Sequence, residues 1–160
     1  QQHRPKYMFS DCKDLPGISA YDLLSSSMVN IPWTALYFAG PPCVDKSSLN
    51  KNSKENRKSV QEGKGKTGMG YAVTIMYLKK NKPLIAIIEN VALVDTKNDK
   101  SESDFVVKEL ISAGYFVVRH KFNAVDCGSR CQRTLFSIIL CSSLRTIPYL
   151  TLSVFHMLNI

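Results

Sequence analysis

An α/β fold, with strands and helices alternating around a sheet, is what this sequence predicts. Two apolar runs of strand length, Thr34 to Ala39 and Leu84 to Ile88, read as fully buried strands of a parallel sheet. Between them, Val73, Ile75, Met76 and Leu78 recur at helical spacing within Tyr71 to Lys79. Over the whole chain the order strand, helix, strand, helix, strand, helix, strand is that of an α/β sheet. A chain of 160 residues, 44% hydrophobic and 21% charged, is long and apolar enough for one domain with a core.

The elements follow in order. Tyr7-Met8-Phe9 is a short apolar strand ending at Ser10-Asp11. Tyr21 to Met28 carries Leu23, Leu24 and Met28 at helical spacing, with Ser19 as a candidate N-cap. The strand Thr34 to Ala39 is broken by Gly40-Pro41-Pro42. Val44 to Lys66 is polar and basic, and Gly63, Gly65, Gly68 and Gly70 punctuate its end. It reads as a mobile loop, longer than most connections, of a kind that is usually functional or disordered. After the helix Tyr71 to Lys79, Pro83 introduces the strand Leu84 to Ile88. Val94 to Asp104 is a polar connection, and Phe105 to Ser112 is a helix closed by Gly114, a residue tolerant of the left-handed conformation. Tyr115 to Val118 and Leu135 to Leu140 are the last clear strands. Residues 1–140 therefore form one domain. Residues 141–160 are an apolar tail, interrupted by Arg145 and Pro148, whose uninterrupted stretches are too short to span a bilayer.

The formal charge is +8, which favours an anionic partner; nucleic acid is preferred to a membrane surface because no basic amphipathic helix is visible. The cysteines, Cys12, Cys43, Cys127, Cys131 and Cys141, form an odd and scattered set. They make no disulfide framework, and Cys127 and Cys131 have no histidine pair near them in sequence, so no metal site is expected. The protein reads as intracellular and reduced. Its polar start, Gln1 to Lys6, is no signal peptide, and the lack of an initiator methionine suggests part of a longer chain.

Chemistry concentrates at two strand exits. In open α/β sheets, ligands bind beyond the carboxyl ends of the strands, so Cys43 and Glu89 would face one crevice. A cysteine in an apolar strand is most often a buried structural residue. Cys43 instead follows Pro-Pro at a strand exit, where a stiff backbone presents the side chain, and the basic residues from Lys46 onward favour a thiolate. A glutamate at a strand end can simply be solvated. Desolvation between apolar neighbours favours the neutral acid, which makes Glu89 a candidate proton donor, with Asn90 to brace it.

These residues resemble a known set. Gly40-Pro41-Pro42-Cys43-Val44-Asp45-Lys46-Ser47 is similar to the catalytic motif of the cytosine-5 DNA methyltransferases, G-P-P-C-Q-x-F-S, and Glu89-Asn90-Val91 matches that family's E-N-V motif. Gly114-Tyr115, and then Asp126-Cys127-Gly128 through Arg133, resemble its G-Y stretch and D-Y-G-x-x-Q-x-R-x-R block. Phe9-Ser10-Asp11 is similar to the strand end that touches the adenosine of the cofactor. The resemblance runs from about Lys6 to Leu140.

What it implies is a Rossmann-like, S-adenosylmethionine-dependent methyltransferase fold and methylation of carbon 5 of a flipped-out cytosine in DNA. Cys43 would be the nucleophile, Glu89 the acid at ring nitrogen 3, Asn90 its brace, and Arg133 a contact to base or phosphate. Asp11 and Pro41 would bind S-adenosylmethionine. Lys46, Ser47, Lys51, Lys54, Arg57 and Lys58 would contact nucleic acid, their loop closing over the extruded base. The protein would be nuclear in a eukaryote and cytoplasmic in a bacterium.

The match also has departures. Val44 and Lys46 replace the family's glutamine and phenylalanine, Cys131 replaces a glutamine, and Leu135 replaces the second arginine. The Cys131 and Leu135 replacements are the ground for a second reading, a degenerate relative that binds nucleic acid without chemistry; methylation of tRNA is a third. The N-terminal glycine motif F-x-G-x-G, the target-recognition region and the final cofactor-site strand are absent from this stretch, so the fold is expected to be incomplete. As given, the stretch should bind S-adenosylmethionine weakly or not at all, and calorimetry showing micromolar affinity would refute that.

Overall fold

A computed structural model describes residues 4–44, 59–91, 101–123, 125 and 134–141. Near the N-terminus, β1 (Ser19–Asp22) pairs antiparallel with β2 (Ser27–Asn30). The helix expected over Tyr21 to Met28, with Ser19 as its N-cap, is therefore a hairpin. Its cause is Asp22, whose buried carboxylate accepts bonds from the Met8 amide at 2.7 Å, the Leu24 amide at 3.3 Å, the Ser25 amide at 3.0 Å and the Ser25 hydroxyl at 2.6 Å. Short polar side chains that bond nearby backbone favour turns over helix interiors, and Ser26 completes the turn at φ 53°. The expected strand at Tyr7-Met8-Phe9 reduces to one bridge between Phe9 and Asp22.

The main sheet contains β3 (Leu36–Ala39), β4 (Ile85–Val91), β5 (Phe116–Asn123) and β6 (Thr134–Cys141), in the order β3-β4-β6-β5. β3 and β4 are parallel, as expected of their apolar runs. β6 runs antiparallel to both β4 and β5, so the sheet is mixed rather than all parallel. β4 continues through Val91, which places Glu89 and Asn90 within the strand.

Two longer helices, α2 (Gly65–Asn81) and α3 (Ser101–Ser112), follow a single turn, α1 (Ser59–Glu62). α2 begins before Tyr71, so Gly65, Gly68 and Gly70 are helical and the expected Val44 to Lys66 loop ends earlier. α3 likewise takes in Ser101 to Asp104 from the expected polar connection. Gly114 closes α3 at φ 86°, where the Tyr115 amide donates to the Leu110 carbonyl at 3.1 Å.

The core joins Tyr71, Ile75 and Leu78 of α2 and Val106 and Leu110 of α3 to Ala86 and Ile88 of β4. Because strand side chains alternate, Ala86, Ile88 and Asn90 share the helix-covered face. The other face is more open than the fully buried strands predicted from the apolar runs: Leu36 is 59% and Phe38 66% exposed. Both point away from the helices, and among the described residues no helix covers that side. No helix among the described residues is long and apolar enough to cross a membrane. Residues 142–160, the expected tail apart from Cys141, lie outside the described residues.

The bonds from the Met8 amide and then the Ser25 hydroxyl hold the Asp22 carboxyl down at about 2, against an ordinary 3.8. A carboxyl depressed in the folded state contributes stability that is fully present above its unfolded value and lost as pH falls through the folded one. Thermal unfolding followed from pH 5 to pH 2 should therefore lose stability between roughly 4 and 2, and Asp22→Asn should lower the plateau and flatten that segment.

Candidate active site

Parallel pairing of β3 with β4 sets Ala39 beside Ile88. The segment Gly40 to Cys43 thus leaves the sheet at the same end as Glu89 and Asn90. Alternation divides the two polar residues. Asn90 is buried on the helix side, and its Nδ2 donates to the Pro41 carbonyl at 3.0 Å. Glu89 points the other way and is half-buried; its Oε2 lies 3.5 Å from the position a Cβ would take on Gly40. Cys43, a half-buried free thiol, follows Pro42 on the same segment.

α2 supports this segment from behind. A Cβ on Gly70 would sit 2.9 Å from Pro42 Cδ and 3.3 Å from Pro41 Cβ, so close approach requires glycine there. The Thr74 hydroxyl donates to the Gly70 carbonyl at 2.9 Å, one turn further along. Tyr71 is 1% exposed and lies within electrostatic reach of Glu102, Glu89 and Cys43. Burial pushes its phenol well above the ordinary tyrosine value, so it is a neutral hydroxyl at any physiological pH. Helical periodicity alone makes Tyr71 an ordinary core residue, which is why sequence reasoning passed over it. The available signal was its polar tip, since a buried tyrosine hydroxyl usually finds a partner. Glu102, at the start of α3, is buried and accepts from the Val60 amide at 2.9 Å, tying α1 to α3.

The remaining predicted residues are dispersed or undescribed. Asp11 is exposed and N-caps the turn Cys12–Asp14; its carboxylate accepts from the Lys13 amide at 2.9 Å and sits 3.7 Å from Lys13 Nζ. That amide bond holds its carboxyl below the usual range. Pro41 is buried at the site. Lys46, Ser47, Lys51, Lys54, Arg57, Lys58 and Arg133 lie outside the described residues. β6, which begins just after Arg133, starts at the Glu89 end of the sheet, because Leu135 pairs with Val91.

The thiol and the carboxyl thus stand at the exits of one parallel strand pair inside a mixed α/β sheet. The chain belongs to the C-5 cytosine-specific DNA methylase family, whose sequence profile matches residues 19–150. Among solved structures it is similar to the methyltransferase EhMeth of Entamoeba histolytica, at 20% identity and a TM-score of 0.49, covering 68% of this chain and 32% of that one. It is also similar to the S. pombe Dnmt2 methyltransferase, at 14% identity and a TM-score of 0.46, covering 67% of this chain and 30% of that one. The chain thus spans about a third of the length of these structures. No curated protein matches it.

Two substitutions test the support of the Pro-Pro-Cys segment by urea denaturation. Asn90→Ala leaves a buried carbonyl without its donor and should cost about 1–3 kcal/mol. Gly70→Ala drives a methyl group into Pro42 and should cost about 1–3 kcal/mol.

Proposed function

We propose that this chain carries the catalytic segment of an enzyme that transfers a methyl group from S-adenosylmethionine to carbon 5 of cytosine in DNA. The observation that supports it best is the convergence of Cys43, Glu89 and Asn90 at one end of the parallel β3–β4 pair. Family membership supports the methyl transfer.

Carbon 5 of cytosine is a poor nucleophile, and the proposed residues answer that difficulty. The Cys43 thiolate adds to carbon 6, forming a carbon–sulfur bond and moving the ring electrons onto carbon 5. Glu89 hydrogen-bonds or protonates ring nitrogen 3 as charge develops there. Asn90 is committed to the Pro41 carbonyl, so it braces the segment and leaves ring contact to Glu89. Once carbon 5 carries the methyl group it loses its proton, and the carbon–sulfur bond breaks to release Cys43.

A sulfonium donor supplies an electrophilic methyl group when bound. Asp11 suits one part of such a ligand, since an exposed, ionised carboxylate can accept from adenosine hydroxyl or amino groups. Pro41 would offer its ring, because its carbonyl is already bonded to Asn90. A cytosine inside a duplex is out of reach, so the base must be extruded. The net charge of +8 suits a polyanion, with Lys46, Ser47, Lys51, Lys54, Arg57 and Lys58 as proposed phosphate contacts and Arg133 as a contact to base or phosphate.

Incubation of the full-length protein with S-adenosylmethionine and a 5-fluorocytosine oligonucleotide tests this reading, because fluorine at carbon 5 blocks the final proton loss. A covalent complex resistant to denaturing electrophoresis is expected. Cys43→Ser should abolish it, and Glu89→Gln should slow its formation by about 100-fold or more. No adduct with the wild-type protein would leave a nucleic-acid-binding relative without chemistry.

A further inference from the structure

Alternation gives the main sheet a second face, away from the helices, whose polar residues gather at one end. On β5, Val117 packs against the core, and the Arg119 guanidinium donates to Ser103 at 3.3 Å and Asp104 at 2.5 Å on α3. Phe116, Val118 and His120 therefore point the other way. On β4, Ala86, Ile88 and Asn90 are buried under the helices, so Ile85, Ile87 and Glu89 share the face of His120. From Leu36 and Phe116 as far as Ile87 and Val118, the described side chains of that face are apolar. The Glu89 carboxyl and the His120 imidazole, both half-buried, come at the end where the site lies.

Register sets these two residues at one level. Glu89 pairs with Ser137 of β6, and Ser137 pairs in turn with His120. With one strand between them, their main chains lie about 10 Å apart, twice the spacing of neighbouring strands. The Glu89 carboxyl leans further away, toward Gly40 at the exit of β3. A base held between two hydrogen bonds of about 3 Å each falls short of that span. A whole nucleotide, whose phosphate projects beyond its base, fits it. β6 carries Leu135, opposite Val91, where the motif that it resembles has an arginine. Leucine has no donor to offer an anion, whereas an imidazole has one.

We propose that His120 is a nucleic-acid contact: its imidazole donates a hydrogen bond to a phosphate oxygen beside the extruded cytosine, while the base lies at Glu89 and Cys43. It takes no part in making or breaking bonds at the ring. Such a contact fixes the register of the bound strand without reading its sequence. It rests on the site reading proposed above and adds to it the place where the backbone of the target nucleotide is held.

The test uses the full-length protein and the 5-fluorocytosine oligonucleotide, either unmodified or with a neutral methylphosphonate replacing the phosphate on one side of the target. His120→Ala should raise the oligonucleotide concentration for half-maximal trapping about 10-fold, the size expected of one hydrogen bond to a charged group, and leave the limiting rate unchanged. His120→Arg, which keeps a donor for phosphate, should stay near the wild-type value. On one side of the target, the methylphosphonate should weaken binding by the wild type about 10-fold more than binding by His120→Ala, because the variant has already lost that contact. Unchanged half-saturation in His120→Ala, a fall in its limiting rate alone, or equal methylphosphonate penalties in the two proteins overturns the proposal. Fluorescence anisotropy with the same oligonucleotides separates the contact from the chemistry. Coupling between His120 and one phosphate, with no adduct formed by the wild type, supports the contact and rejects the reaction; adduct formation without that coupling rejects the contact alone.

Discussion

The bond from the Asn90 amide to the Pro41 carbonyl is the constraint on which the rest of the site depends. It joins the exits of two parallel strands that approach one another from distant parts of the chain, and it does so out of water. A buried carbonyl left without a donor costs about 1–3 kcal/mol, whereas the net gain of the bond is smaller. Its effect is therefore to exclude other arrangements of the Gly40 to Cys43 segment more than to add stability. Main-chain pairing of β3 with β4 brings the partners to one end of the sheet. The side-chain bond then decides where, within that end, the cysteine stands.

Strand alternation gives the adjacent residues Glu89 and Asn90 opposite duties. Asn90 shares its face with Ala86 and Ile88, under α2 and α3, where a polar side chain must be fully bonded. Glu89 emerges on the other face, half-buried beside Gly40, where a ligand can reach it. A single-residue slip of β4 would exchange these environments, placing the carboxyl among apolar side chains and the amide outside. The parallel register with β3 and the antiparallel register with β6 both oppose that slip.

α2 contributes to the site through what it lacks as well as through what it carries. Gly70 has no side chain, so the helix backbone can lie against Pro41 and Pro42. Glycine in a helix interior costs roughly 0.5–1 kcal/mol relative to alanine, and here closeness to the loop offsets that cost. The same glycine-rich stretch, Gly63 to Gly70, reads as loop punctuation when its neighbours in space are unknown. The hairpin at β1–β2 is the mirror of this case. Leu23, Leu24 and Met28 are spaced for a helix, yet the Asp22 carboxylate gathers Met8, Leu24 and Ser25 into a turn. Local spacing carries no information about a bond to Met8, which lies well outside the window in which periodicity is judged.

By itself the sequence determined the parallel β3–β4 pair, the helix between them, the glycine stop after α3, and the family, because apolar runs, periodicity and contiguous motifs are all local properties. It also singled out Pro41, Cys43, Glu89 and Asn90 as one group, since these lie within two short motifs. Only the tertiary structure decided that Asn90 is spent on Pro41, that Gly70 lies against Pro42, that Leu36 and Phe38 lie on an open face, and that β6 runs antiparallel between β4 and β5. Those outcomes depend on which distant groups compete for the same buried volume and the same hydrogen-bond donors, a competition that exists only once the chain has folded.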